Sequence, residues 1–128
     1  MTRNFRLEKN DSDDIGFAKA SLVSGVLKFS EFKQWLYYVI EHQDQVPAYF
    51  WDILDIENKF DFKPFSVMGF NPSWEHTESE SDALDGIGYR RWNDFLSDAV
   101  PREVALQELD RNPHVEKRFR ETFPFIDW

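Results

Sequence analysis

The chain contains no cysteine. Disulfide frameworks, thiolate zinc sites, iron–sulfur ligation and cysteine nucleophiles are therefore excluded in one step. Its three histidines, His42, His76 and His114, lie in three different segments, without the short spacings by which two imidazoles share a metal. They read as polar or capping residues at helix ends. The five glycines, Gly16, Gly25, Gly69, Gly86 and Gly88, never combine into a phosphate-binding loop, and no Gly-x-Ser-x-Gly elbow is present. A calcium loop would need a central glycine, and the stretch from Glu75 to Asp85 has none. Carboxylate pairs such as Asp52 with Asp55 or Glu80 with Asp82 are too numerous to single out a catalytic pair. No hydrophobic run reaches the roughly 18 residues of a membrane span. Met1 to Asp14 mixes charge with polarity where a signal segment would be apolar. The expectation is a cytoplasmic protein with no membrane segment, no metal, no cofactor and no enzymatic activity.

What the chain does have is aromatic bulk: 13 Phe, 5 Trp and 4 Tyr in 128 residues. That composition argues against disorder, and the length predicts a single domain over 1–128 with one core. Apolar residues recur three and four apart in several segments, so the predicted fold class is mainly α, a compact bundle of about five to six helices. The first runs from about Asp14 to Ser24, with Asp13 as cap and Gly25 as stop. Before it, Phe5 and Leu7 fit a short strand or an extended arm. Ser30 can cap a second helix whose stripe is Phe32, Leu36, Val39 and Ile40, with Trp35 flanking. Pro47 suits the first position of a third, which buries Phe50, Ile53 and Leu54. Between the third and fourth helices, Lys59 to Trp74 alternates Phe60, Phe62, Phe65 and Val67 around prolines, which predicts an extended aromatic loop or short edge strand.

A fourth helix starts at Ser79 or Ser81 with acids in its first turn, and Leu84, Ile87, Gly88, Trp92 and Phe95 form its inner face. Gly86-x-Gly88 inside a helix lowers its propensity, which fits a close contact with another helix or with a partner, helix packing being the first of the two readings. Pro101 opens a fifth helix with Val104, Ala105 and Leu109 inward. Asn112-Pro113 separates it from a sixth carrying Val115, Phe119 and Phe123. The apolar Phe125, Ile126 and Trp128 after Pro124 are expected to pack back.

Charge is uneven as well as scarce in one sign. The net value is -9. Residues 1–43 balance six acids with six bases, and 99–128 nearly balance, whereas 44–98 hold 12 acids against 4 bases. No Lys or Arg lies between Lys63 and Arg90, a gap containing Glu75, Glu78, Glu80, Asp82 and Asp85. Such a run is either a solvated loop and helix start or an acidic docking surface for a basic partner. Trp74 at its edge and Tyr89 within it are candidate aromatic anchors. The basic residues near the end, Arg111, Lys117, Arg118 and Arg120, are interleaved with Glu108, Asp110, Glu116 and Glu121 at ion-pair spacing. Direct nucleic-acid binding is not expected from that pattern.

Residues 25–62, GVLKFSEFKQWLYYVIEHQDQVPAYFWDILDIENKFDF, and 72–92, PSWEHTESESDALDGIGYRRW, resemble the small bacterial immunity proteins of contact-dependent growth inhibition and polymorphic toxin systems. The likeness is to a type: acidic, single-domain, rich in Trp and Phe, without cysteine or catalytic signature. It implies a protein that binds and neutralises a cognate C-terminal toxin domain, often a basic nuclease. The toxin-binding residues suggested by charge and spacing are Trp74, Glu75, Glu78, Glu80, Asp82, Asp85 and Tyr89. Two other readings stand beside it: a non-catalytic helical adaptor using Phe60 to Trp74, and an enzyme whose carboxylates meet only in the fold.

Overall fold

The computed structural model describes residues 4–128. Among them the chain is mainly α: seven α-helices and one 3-10 turn, with no strand beyond an isolated bridge between Glu8 and Asp11. The packing divides into two compact units, one of residues up to Ala20 with Phe29–Trp74, the other of Ser21–Lys28 with Glu75–Trp128.

The first unit holds most of α1 (Asp13–Val23), with α2 (Phe29–His42), α3 (Tyr49–Leu54), the 3-10 turn (Lys59–Asp61) and α4 (Pro64–Met68). Phe32, Trp35, Leu36 and Val39 make the buried stripe of α2, so Trp35 is within the stripe and not beside it. Each such side chain taken from water contributes on the order of 1.5–3 kcal/mol. Phe50 and Ile53 of α3 are also fully buried, and the Phe50 ring lies 6.3 Å from that of Trp35. The Tyr49 hydroxyl donates to the Leu7 carbonyl at 2.6 Å and binds the segment before α1 to α3. Burial, and then the Glu8 carboxylate, push that phenol well above its usual range.

The aromatic segment is not extended at its centre, and this accounts for the helix beyond the expected five to six. Asn58 caps the 3-10 turn by accepting from Phe60 N. Pro64 stands at the start of α4, and Gly69, at φ 83°, ends it in the left-handed region that favours glycine. Phe62 turns inward, its ring 5.5 Å from Phe32. Residues 71–77 are irregular. They begin by crossing α1 so closely that a Cβ on Gly16 would lie 2.2 Å from the Ser73 carbonyl carbon. There Ser73 N donates to Ser12 Oγ, and Trp74 meets Phe17 edge to face.

In the second unit, Gly25 at φ 84° ends α1, and α5 (Glu78–Arg91), α6 (Arg102–Arg111) and α7 (Pro113–Thr122) pack against one another. The fourth expected helix begins at Glu78, capped by Thr77, not at Ser79 or Ser81, and stops at Arg91, so Trp92 and Phe95 lie beyond it. The two glycines do allow close contact. A Cβ on Gly86 would lie 2.6 Å from the Ala105 carbonyl oxygen, and one on Gly88 would lie 2.5 Å from the Phe95 ring. On α6, Ala105 and Leu109 face inward and Val104 is exposed. The last residues pack back: Trp128 meets Phe119 edge to face at 5.7 Å, beneath the Arg120 guanidinium.

Gly86→Ala should gain about 1 kcal/mol of helix propensity yet lose more to overpacking, because the obstructing atom belongs to backbone. We expect a net loss of about 1–3 kcal/mol by urea denaturation. Gly69→Ala has open space around the new methyl and should lose only about 1–2 kcal/mol, from backbone strain. A Gly86→Ala protein as stable as wild type would contradict the close approach.

Candidate functional site

The opening of α5 is built by a reciprocal cap. Thr77 Oγ1 accepts from Glu80 N at 3.1 Å, and Glu80 Oε1 accepts from Thr77 N at 2.9 Å. The second Glu80 oxygen lies 2.7 Å from His114 Nε2 on α7. The Thr77 backbone hydrogen bond first, then His114, hold the Glu80 carboxyl below its ordinary range. Glu80 thus has a structural role in the cap, and its charge is partly engaged within the unit.

Glu75 and Glu78 are exposed, while Asp82 is half-buried one turn further along α5. Among the described residues, none of these three carboxylates has a basic side chain within ion-pair distance. Burial, followed by the Glu78 and Glu108 carboxylates, raises the Asp82 carboxyl above its ordinary value. Glu108 itself accepts from the Ser79 hydroxyl and from Arg111.

Asp85 and Tyr89, by contrast, lie in the interior, 7% and 4% exposed. Ser97 Oγ donates to Asp85 Oδ2 at 2.8 Å and accepts from the Ala99 and Val100 amides. The Tyr89 hydroxyl accepts from Ser97 N and donates to the Val100 carbonyl. These bonds close the segment after α5 back onto the helix, with Phe95 edge to face on Tyr89. Burial chiefly raises the Asp85 carboxyl, opposed by the Ser97 hydrogen bond. Its perturbed ionisation is thus explained by burial in the fold, which the loop-closing bond only partly offsets. Trp74 is half-buried on Phe17 and belongs to the first unit, whereas Glu75 to Tyr89 belong to the second. The structure therefore groups Glu75, Glu78 and Asp82 as outward acids and separates from them the capping Glu80 and the interior Asp85 and Tyr89.

A second base-free run escapes the pattern around Trp74. Between Lys33 and Lys59 there is no Lys or Arg, while Glu41, Asp44, Asp52, Asp55 and Glu57 are present. Its signal in the sequence is Trp51, which falls outside the Phe50/Ile53 stripe of α3. Among the described residues, no three His, Asp or Glu side chains gather in a way that could hold a metal ion. No helix there is long and apolar enough to cross a membrane. No family model, curated protein or solved structure matches the chain.

Ser97→Ala leaves the Asp85 carboxylate buried without its hydroxyl donor and should cost about 1–3 kcal/mol at neutral pH. Asp85→Asn keeps an acceptor for Ser97 and removes the buried charge, so it should cost less. Because the folded state raises the Asp85 pKa, the residue's contribution is most favourable below the ordinary carboxylate range and declines as pH rises through the folded value. Glu80 has the opposite sign: its stabilisation is present above the ordinary value and is lost as pH falls through the lowered one. Urea denaturation at several pH values should therefore show Asp85→Asn gaining on wild type toward neutrality and Glu80→Gln losing. Parallel curves for both variants would contradict these assignments.

Proposed function

We propose that the chain is an immunity protein that binds and neutralises a cognate toxin domain of a contact-dependent growth inhibition or polymorphic toxin system. The observation that supports it most is the grouping of Glu75, Glu78 and Asp82 around the start of α5, where Asp82 feels Glu78 and Glu108 as like charges. A cationic partner would offset that repulsion, so complementarity with a basic toxin lowers the energy of both surfaces. Nuclease domains fit because their substrate clefts carry positive charge. In this reading the chain acts in the cytoplasm as a stoichiometric inhibitor, without cofactor or catalysis. The charge-bearing contacts are Glu75, Glu78 and Asp82.

The test is co-expression with the toxin domain encoded upstream, scoring growth rescue and then copurification. The triple reversal Glu75→Lys, Glu78→Lys, Asp82→Lys leaves the Thr77–Glu80 cap in place and should retain the helical circular dichroism spectrum. It should slow association by about tenfold or more at low ionic strength and flatten the salt dependence. An unchanged association rate would move the interface away from α5.

A further inference from the structure

We propose that α3, the 3-10 turn and α4 form a second protein-binding surface, fitted to a basic amphipathic segment of a partner protein. It shares no residue with the α5 acids and does not rest on the immunity reading. Three large rings stand in solvent within fifteen residues: Trp51 at 53% exposure, Phe60 at 82% and Phe65 at 63%. They are carried by adjoining elements, since α4 packs on α3 and only Phe62 and Lys63 separate the 3-10 turn from α4. Among the described residues, the other large exposed apolar side chains, Val23, Tyr37, Leu96 and Val104, are scattered one to an element or loop and call for no special explanation. Large rings left exposed on adjoining elements are costly in water and are characteristic of surfaces that bind.

Charge selects the occupant. Asp52 on α3 and Asp55 at its C-cap are both exposed, and Asp55 stands four residues after Trp51, the spacing at which helical side chains are neighbours. Glu57 and Asp61 are exposed as well, so acids outnumber the two lysines, Lys59 and Lys63, four to two over residues 51–65. Nucleic acid and anionic bilayers would meet repulsion here. A symmetric contact between two copies would set the same carboxylates against each other. A segment with apolar residues on one helical face and Lys or Arg at its margin can cover the rings and pair the acids together.

The experiment titrates the isotopically labelled full chain with a synthetic amphipathic Lys/Leu helical peptide and, in parallel, a Lys/Ser peptide of equal charge. Chemical shifts are read at the backbone amides and tryptophan indoles. We expect shifts at the Trp51 indole and across residues 49–68, with at least tenfold weaker binding of the Lys/Ser peptide. Trp51→Ala with Phe65→Ala, and separately Asp52→Lys with Asp55→Lys, should each weaken Lys/Leu binding about tenfold while keeping spectral dispersion. Shifts confined to the α5 acids, equal binding of both peptides, wild-type affinity in both double variants, or self-association through these rings would each overturn the proposal. Failure here leaves the toxin co-expression result unaffected, so the two readings fail separately.

Discussion

At Gly86 the backbone of α6 occupies the place where a side chain would be, with the Ala105 carbonyl oxygen 2.6 Å from the position of the missing Cβ. The second unit depends on this approach. Drawing α5 in to this depth buries Ala83 to Tyr89 almost continuously, so a charged residue and a phenol are carried inside with the aliphatic ones. Their polar atoms then require partners, because an unmade buried hydrogen bond costs more than a made one returns. Ser97 meets that requirement for Asp85 and Tyr89 together. One small residue thus leads, through burial and then through hydrogen bonding, to the closure of the segment after α5.

The same logic divides the acids of this region by role. A carboxylate near a helix start is favoured by the backbone amides whether or not it meets another molecule. Glu80 adds a reciprocal cap and a histidine contact, and its negative charge is accounted for locally. Glu78 shares the favourable end of the helix but has no such contact, and Asp82 lies partly out of water beside like charges. Charge that the fold uses and charge that it merely carries are therefore next to each other in sequence and distinct in structure.

How much of this is legible in the residues follows from how local each determinant is. The α2 stripe, the Asn112-Pro113 junction, the stop at Gly25 and the close contact at Gly86-x-Gly88 all depend on spacing or on one special residue, and they can be read directly. The start of α5 was also present as Thr77-x-x-Glu80, a cap signature that competes with two nearby serines. The α4 helix is obscured because Phe60, Phe62 and Phe65 suggest a strand, although Pro64 and Gly69 supply its start and stop. The burial of Asp85 and Tyr89 has no local signal. It is set by the depth to which α5 packs on α6, and the hydrogen-bond partner it calls for, Ser97, lies in a separate loop.

If both proposed surfaces bind, they should act on different stages of association. Exposed carboxylates act over about a Debye length, roughly 8 Å at physiological ionic strength. Their attraction to a cationic partner begins before contact, is screened by salt and contributes little to a lone side chain's stability once paired. Rings such as Phe60 act only when water has left them, so they govern how long a complex lasts and not how quickly it forms. The α5 acids have charge without exposed aromatics of their own helix, since Tyr89 is interior. The α3 and α4 surface has both, with Trp51 and Asp52 on one short helix and Asp55 at its end. Steering alone suits a partner whose own surface supplies the lasting contacts, whereas rings bordered by acids can hold a short basic segment with few contacts elsewhere.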